Sequence, residues 1–393
     1  MTDFRASVVV LAAALSVTSC GNQAVPPVQI AEIAIPNNPS KFVFDISYVD
    51  SGRYYIADRT NKALSVFNTS DFSTVAVVPG FFGIATDLSP DESGPDGVLG
   101  VPGSNLIYVG DVGSVKIVDM NATPPAIVKK ISIAPPYAKK PSIFRADEGC
   151  YDPDDKLMMF AHPGDTIDGK TTGAPAPFAT WISTDTQSVV AQFAFPNNAT
   201  GLEQCVYDPN TKSFYVNNDG TDTNPQGEVD VITAASVVAK TPSVATVYPL
   251  PNCGQPTGLV LGPGQDMFVA CTQDAGGKLS SPIIDRTTGK TIADVPIGGA
   301  DQMVYDPATN RYLAPLRYWT YNGISAGRAA VAGVTTPVFA AIDATTHAVI
   351  GMAAAGPNTH SVAIDSAQHK AFVPHNSGGS TYTSPGISVY STN

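Results

Sequence analysis

Basic charge is scarce in this chain and nowhere concentrated. Lysine and arginine number 22 against 34 aspartates and glutamates, for a formal net charge of −12. No cluster is basic enough to replace the counterions condensed on a nucleic acid, which excludes DNA and RNA as partners, and a solvated acidic surface accounts for most of the negative balance. Sustained apolar periodicity at the helical repeat is also missing, so the chain is not built from amphipathic helices. Charged residues make up only 14%, while Gly and Pro number 34 and 33, the composition of a turn-dense all-β protein. Site motifs are thin. No CxxC or Cys/His spacing suggests a zinc site, and no Gly-x-Ser-x-Gly elbow suggests a serine hydrolase. The glycines of 262–265 and 378–380 precede no helix whose N-terminus would hold a phosphate. The run Asn217-Asn-Asp-Gly-Thr-Asp222 lacks the Glu that would complete an EF-hand and reads as a loop.

What is present is a repeat. A unit of roughly fifty residues returns seven times. Each copy opens with an apolar strand running into an Asp-Pro type turn, as in Cys150-Tyr-Asp-Pro153, Cys205-Val-Tyr-Asp-Pro209, Met303-Val-Tyr-Asp-Pro307 and Val362-Ala-Ile-Asp-Ser366. The other copies begin near Phe42, Asp96 and Pro256. Further short, β-branched strands follow, so each copy reads as a four-stranded antiparallel sheet. The closing strand is clearest in Ser188–Asn198 and is nearly repeated in Val28–Asn38, which has no earlier part of a unit before it. The last copy stops at Gly386-Ile-Ser-Val-Tyr390 without its closing strand. The two ends must therefore pair, and a ring of seven sheets zipped by its first strand is a β-propeller, which removes the open edges of a linear array.

The apolar stretch near the start, Ala6 to Val17 behind Arg5, is too short to span a bilayer permanently and has the size of a secretion-signal core. It runs into Val17-Thr-Ser-Cys20, which resembles the lipobox of bacterial lipoproteins, where the Cys becomes the lipidated first residue. The alternative is an ordinary secretory peptide cleaved nearby. Residues 1–20 are thus expected to be a signal peptide, 21–27 a tether, and 28–393 a single domain. The chain is expected on the periplasmic side or cell surface, monomeric, touching the membrane only through a lipid on Cys20. Setting Cys20 aside leaves four of the five cysteines, and export into an oxidising compartment predicts two disulfides. Cys150 and Cys205 open consecutive repeats and Cys253 and Cys271 share one, although four cysteines allow three connectivities.

Chemistry enters where each repeat begins. Counting back five residues from the turn Asp reaches Asp45, Asp147, Glu203, Asp301 and His360, and aligning the two repeats without a turn Asp adds Asp96 and Thr257. These are the first residues of the innermost strands, so they converge at one mouth of the channel. A second set lies near the end of the second strand: Asp58, Asp111, His162, Asn218, Thr272, Arg317 and His375. Because the first two strands form a hairpin, both sets are expected at the same mouth. Carboxylates crowded near an axis repel, so either protons or a cation must compensate them, unless the channel is a wet pore that keeps them apart. Hard oxygen donors with one or two His favour Ca²⁺, with Mg²⁺ or Mn²⁺ as alternatives.

The blade Leu202-Glu-Gln-Cys-Val-Tyr-Asp-Pro-Asn-Thr-Lys-Ser-Phe-Tyr-Val216 resembles the YVTN-type propeller repeats of surface and periplasmic proteins. It is also similar to the senescence-marker-protein/gluconolactonase group and to paraoxonases, whose blades open with an acidic or amide residue that holds a catalytic divalent metal. That resemblance implies Asp147, Glu203 and Asp301 as metal ligands, with Asp45 and Asp96 at equivalent positions. It also implies a hydrolase of lactone or ester type, although this chain places His360 where those enzymes use Asn. In that reading His360, His162 or His375 moves a proton and Arg317 holds an anionic group of a small-molecule substrate. The competing expectation is a non-catalytic propeller that binds a cell-envelope protein through its faces. Export is checked directly: Cys20→Ala should abolish fatty-acid labelling and release a soluble form, and a labelled, membrane-bound variant would defeat the lipoprotein expectation.

Overall fold

The computed structural model describes residues 26–86, 92–134, 145–164, 176–272, 280–319 and 337–393, and the expected signal peptide, Cys20 included, lies outside them. The chain opens with β1 (Val28–Ala34). Blade 1 follows as β2 (Phe44–Asp50), β3 (Arg53–Asp58), β4 (Ala63–Asn68) and β5 (Thr74–Pro79). Blade 2 holds β6 (Val98–Gly100), β7 (Leu106–Asp111), β8 (Ser114–Asp119) and β9 (Ala126–Ser132). Blade 3 holds β10 (Gly149–Asp152), β11 (Leu157–His162), β12 (Phe178–Ser183) and β13 (Ser188–Ala194). Blade 4 holds β14 (Leu202–Asp208), β15 (Ser213–Asn218), β16 (Glu228–Thr233), a short α1 (Ala234–Val238) and β17 (Thr246–Pro249). Blade 5 holds β18 (Pro256–Leu261), β19 (Asp266–Cys271), β20 (Ser281–Asp285) and β21 (Thr291–Val295). Blade 6 holds β22 (Val304–Asp306), β23 (Arg311–Leu316), β24 (Val338–Asp343) and β25 (Val349–Ala354). Blade 7 holds β26 (Ala363–Asp365), β27 (Lys370–His375) and β28 (Gly386–Ser391).

Seven antiparallel four-stranded sheets result, the last in the order β1-β28-β27-β26. The first strand completes the last blade from Val28 opposite Ser391 to Ala34 opposite Gly386, as the repeat arithmetic requires. The protein is a seven-bladed β-propeller.

Local chemistry explains the recurring hairpin between the first two strands. The turn carboxylates accept from backbone amides two or three residues on: Asp152 from Asp154 at 2.8 Å, Asp208 from Asn210 at 3.1 Å, and Asp306 from Ala308 at 3.1 Å. Each is an Asx-type turn, in which the short side chain replaces a missing strand partner. Four residues after the turn Asp the backbone turns left-handed, at Lys156, Lys212, Asn310 and His369, with φ between 50° and 54°.

Both faces of a blade pack on neighbours, so the middle strands are buried almost throughout, while the outermost strands alternate toward solvent. Aromatic pairs join adjacent blades. Trp181 meets Phe214 edge-on at 6.0 Å between blades 3 and 4, Phe268 meets Tyr312 at 5.1 Å between 5 and 6, and Tyr54 stacks on Phe372 at 4.9 Å between 1 and 7. Such pairs contribute about 0.5–1.5 kcal/mol each beyond area burial. Two disulfides are present: Cys150–Cys205 clasps the innermost strands of blades 3 and 4, and Cys253–Cys271 lies within blade 5. The first closes a separation of 55 residues, a constraint on the unfolded chain worth about 4 kcal/mol in the loop-entropy account.

Deleting residues 28–36 should strip blade 7 of its outer strand and expose the edge of β28, so the shortened chain should aggregate or lose cooperative unfolding. An unchanged melting curve for a chain beginning at Lys41 would show that the seam does not matter.

Candidate functional site at the channel mouth

The innermost strands bring the first set of residues to one end of the channel by two devices. In blades 1, 4 and 5 the start of the strand carries a β-bulge, between Phe44 and Ser47, Leu202 and Cys205, and Pro256 and Leu259. Asp45, Glu203 and Thr257 sit inside those bulges. An extra residue in one strand re-aims its side chains away from the regular alternation. In blades 2, 3, 6 and 7 the strand begins two or three residues later, leaving Asp96, Asp147, Asp301 and His360 on the chain that leads into it.

A cavity of about 550 Å³ opens at this mouth, lined by Asp45, Glu203, Asp301 and His360 together with Arg59, Arg145, Asp219 and Arg317. Three arginines answer the acids. Arg59 bridges Asp45 and Asp96, the Arg145 Nε donates to Asp147 Oδ2 at 2.7 Å, and the Arg317 Nη1 donates to Asp301 Oδ2 at 3.1 Å. The Arg317 guanidinium also lies over the Tyr318 ring at 4.9 Å. Arginine suits this task because its planar fork stays charged when buried. Sequence reasoning found Arg317 but missed Arg59 and Arg145.

The reason Arg59 was missed is a register error of one residue. Side chains that end the second strand turn back into their own blade. Asp58 accepts from Ser65 on β4 at 2.8 Å, Asp111 pairs with Lys116 on β8 at 2.5 Å, and Asn218 donates to Asp230 on β16 at 2.9 Å. His162 bonds Thr180 on β12 at 2.9 Å, stacks on Phe178 at 4.0 Å, and is pushed down to a pKa of about 3 by burial. His375 bonds Glu32 on β1 at 2.6 Å and lines a different cavity, at the seam of blade 7. The two histidines expected to share the mouth therefore stand outside its lining. The next residue along faces the channel instead, and Arg59, Pro163, Asp219 and Arg317 all follow the end of a second strand.

Burial sets the electrostatics. Seven carboxyl groups (Asp45, Asp96, Asp147, Glu148, Glu203, Asp219 and Asp301) face three guanidiniums and one imidazole in and just behind the cavity. Burial would raise the pKa of Asp45, but the charge of Arg59 and the hydrogen bond and charge of His360 outweigh it and hold the group below the usual range. Asp147 is pushed up to about 6, first by burial and then by Asp45, against the opposing charge of Arg145. Glu203 and Glu148 are raised well above the ordinary value, chiefly by burial and further by neighbouring acids.

One subset has the geometry of a cation site. Single ligand atoms of Asp45, Asp301 and His360 lie within 4.8 Å of one another. The His360 Nδ1 is 2.7 Å from the Asn358 carbonyl oxygen, an acceptor only, so Nδ1 carries a proton whether the ring is charged or neutral, and in the neutral ring Nε2, 3.7 Å from Asp45 Oδ1, presents a lone pair. This is the tautomer that a metal ligand needs, fixed by the second nitrogen's hydrogen bond. The Phe44 ring stacked on the imidazole at 4.7 Å holds its plane. Of the five carboxylates expected from the sequence, Asp45 and Asp301 belong to this subset, Glu203 lines the same cavity, and Asp147 and Asp96 stand behind it on their arginines.

At the far side of the channel lies a second cavity of about 550 Å³, lined largely by apolar and aromatic residues such as Tyr48, Val206, Tyr207 and Tyr305, with the Cys150–Cys205 disulfide in its wall. Gln302, in the wall of that cavity, ties blade 6 to blades 7 and 1: its Oε1 accepts from Ser361 Oγ at 2.7 Å and Val362 N at 3.1 Å, and its Nε2 donates to the Ser47 carbonyl at 2.9 Å.

Truncating Arg59 tests the pairing. Arg59→Ala strands two buried carboxylates and should cost about 3–5 kcal/mol in urea unfolding, much of it recovered when Asp45 and Asp96 are also changed to Asn. A loss below about 1 kcal/mol, typical of exposed pairs, would show that the pairs are solvated.

No family model and no curated protein matches the sequence. Many solved structures match the chain, among them two that resemble it over most of its length. One is hydrazine synthase of Kuenenia stuttgartiensis, 14% identical over 92% of this chain and 98% of that one, with a TM-score of 0.64. The other comes from a mitotic checkpoint complex, 8% identical over 100% of this chain and 98% of that one, with a TM-score of 0.59. At such identities the likeness is one of fold alone, and the function has to be argued from the mouth itself.

Proposed function

We propose that the channel mouth binds a divalent cation on Asp45, Asp301 and His360, Ca²⁺ before Mg²⁺ or Mn²⁺, and hydrolyses a small ester or lactone beside it. The observation that carries this reading is the approach of the three ligand atoms within 4.8 Å, with His360 held in the tautomer that offers a lone pair. Two carboxylates and one imidazole suit a hard or borderline cation, and the excess of acid over arginine favours positive charge at this point. A bound cation would supply polarisation of a substrate carbonyl and a lowered pKa for water. The remaining work falls to the chain. Glu203, protonated below its raised pKa, can donate to a leaving oxygen. Arg317, fixed against Tyr318, would hold an anionic group. His360 thus moves from proton carrier to ligand, and His162 and His375 leave the reaction.

The same proposal includes export to the periplasm or cell surface with a lipid on Cys20, which the two disulfides support because such bonds persist in oxidising compartments. A second reading, a non-catalytic propeller binding a cell-envelope protein, is favoured by the arginines: a guanidinium already partners Asp45, Asp96, Asp147 and Asp301.

The test is metal analysis of purified protein beside a lactone and ester hydrolysis screen. Chelator should lower the melting temperature and saturating Ca²⁺ restore it, a linkage worth about 2.7 kcal/mol at a hundredfold excess over Kd. Asp301→Asn should abolish both the Ca²⁺ response and hydrolysis. A chelator-insensitive, metal-free protein that hydrolyses nothing would leave the binding propeller.

A further inference from the structure

Six blades draw their four strands from one continuous stretch of chain, whereas blade 7 takes its outer strand β1 from the opposite end. No turn joins β1 to β28. The equivalent outer strand of blade 3, β13, follows β12 directly after a short turn, so β1 alone among the outer strands depends on side chains and ladder bonds to stay in place. One side chain reaches furthest. From β1 the Glu32 carboxylate extends across β28 to His375 on β27, where Oε1 lies 2.6 Å from Nε2. Two glycines make room for this crossing, because a Cβ on Gly386 would overlap Glu32 Oε1 and one on Gly356 would overlap the His375 imidazole. The other carboxylate oxygen is served separately: Gln29 Nε2 donates to Oε2 at 3.0 Å and Ser388 Oγ at 2.9 Å.

The protons on this contact can be counted. His375 Nδ1 lies 2.9 Å from the Asn376 carbonyl oxygen, an acceptor only, so Nδ1 carries a proton. On the other side Nε2 faces a carboxylate oxygen that already has two donors on its twin, so a contact of 2.6 Å requires a second proton on the imidazole. A neutral imidazole would turn a lone pair on the carboxylate instead. The other groups packed against His375 are uncharged: Ser388 and Gly386 on β28, Gly356, and Tyr382, whose ring meets the imidazole edge-on at 4.7 Å while its hydroxyl donates to the Ala354 carbonyl. Among the described residues Glu32 is the one ionic partner of His375. The imidazole is 1% exposed and the carboxylate 42%, so water reaches the anion but cannot replace it at the buried cation.

We propose that the Glu32–His375 pair is a protonation-dependent latch on the closing strand, which holds β1 to blade 7 while the imidazole is charged and lets the seam loosen before the other blades when that proton is lost. The sign follows from linkage. A folded state that holds a proton more firmly than the free imidazole gains stability that is full below the ordinary imidazole range, about 6.5, and is lost as pH rises through the titration of the pair. Loss of the latch bares the edge of β28, so the effect is local to the seam.

Hydrogen exchange on the full mature protein tests this by comparing β1 with β13 from about pH 6 to about pH 9, after correction for the intrinsic rate. Exchange in β1 should rise about tenfold or more relative to β13 over that range, and Glu32→Gln should flatten the difference. Gly386→Ala pushes the carboxylate aside while leaving both groups able to titrate, and it should flatten the difference too. The native protein gives a readout that needs no variant: nitrogen shifts of the His375 imidazole should show both nitrogens protonated at the acid end and one proton lost as β1 loosens. Exchange in β1 that tracks β13 at every pH, a pH dependence that survives in either variant, or an imidazole with one bare nitrogen while β1 is still protected would each overturn the latch.

Discussion

Closure of the ring by β1 against β28 is the interaction on which everything else depends. An open stack of seven sheets would fan its inner strands apart, whereas a closed one forces their first residues toward a common axis. Convergence turns seven separate sequence positions into one electrostatic problem. Carboxyl groups that would be ordinary on a surface become close neighbours in and behind one cavity, where a charge is neutralised, paired or shifted in pKa. The mouth answers with arginines for four aspartates, an imidazole beside Asp45, and a pKa raised by burial on Glu148 and Glu203.

The ring was legible in the sequence because its marker is local. An Asp that caps its own turn must sit at the start of the hairpin whatever surrounds it, so Asp152, Asp208 and Asp306 act as rulers, and five residues back the count lands on the channel. The second set failed because its marker was only a count. From the end of a strand, one residue decides between a blade face and the channel, and the count stopped on Asp58, His162 and His375, which pin their own sheets. Taking the residue that follows each second strand would have found Arg59 beside Arg317. Arg145 follows no such register, since it comes from the chain leading into blade 3, where it makes an isolated bridge with Val112. Glu148 was hidden for a different reason. Its buried Oε2 has no hydrogen-bond partner among the described residues, and a missing donor is visible only once the neighbours are placed.

The two ends of the channel are chemically opposite. At one end acids and guanidiniums line the opening, and at the other tyrosines, aliphatic side chains and a disulfide do. The layer between them is built from amides and hydroxyls that bond across blades 1, 6 and 7, with Gln302 at its centre. Such a layer joins three blades across the channel wall without adding charge. It also ties the innermost strands to one another where their own edges have no sheet partner, which supplies the rigidity that a preorganised site requires.

A propeller does not need this arrangement to be stable. Gln204 and Gln302 show that an amide at the position after the ring satisfies a neighbour's backbone and leaves nothing unpaired, so an amide at 148 would have served the fold better than the glutamate found there. The same holds for the ring, where Thr257 bonds the Ala300 carbonyl at 2.6 Å and carries no charge at all. Acids are retained where they cost stability and are absent where a neutral residue does the structural work. A local conflict of that kind, with every surrounding level consistent, is expected where the chain meets a ligand. Asp96, in blade 2, likewise has an Oδ2 buried without a partner among the described residues, and Glu148 lies next to the Cys150–Cys205 clasp that holds blades 3 and 4 together. The covalent tie therefore joins blades 3 and 4 beside Glu148 and Glu203, the two glutamates whose pKa burial raises.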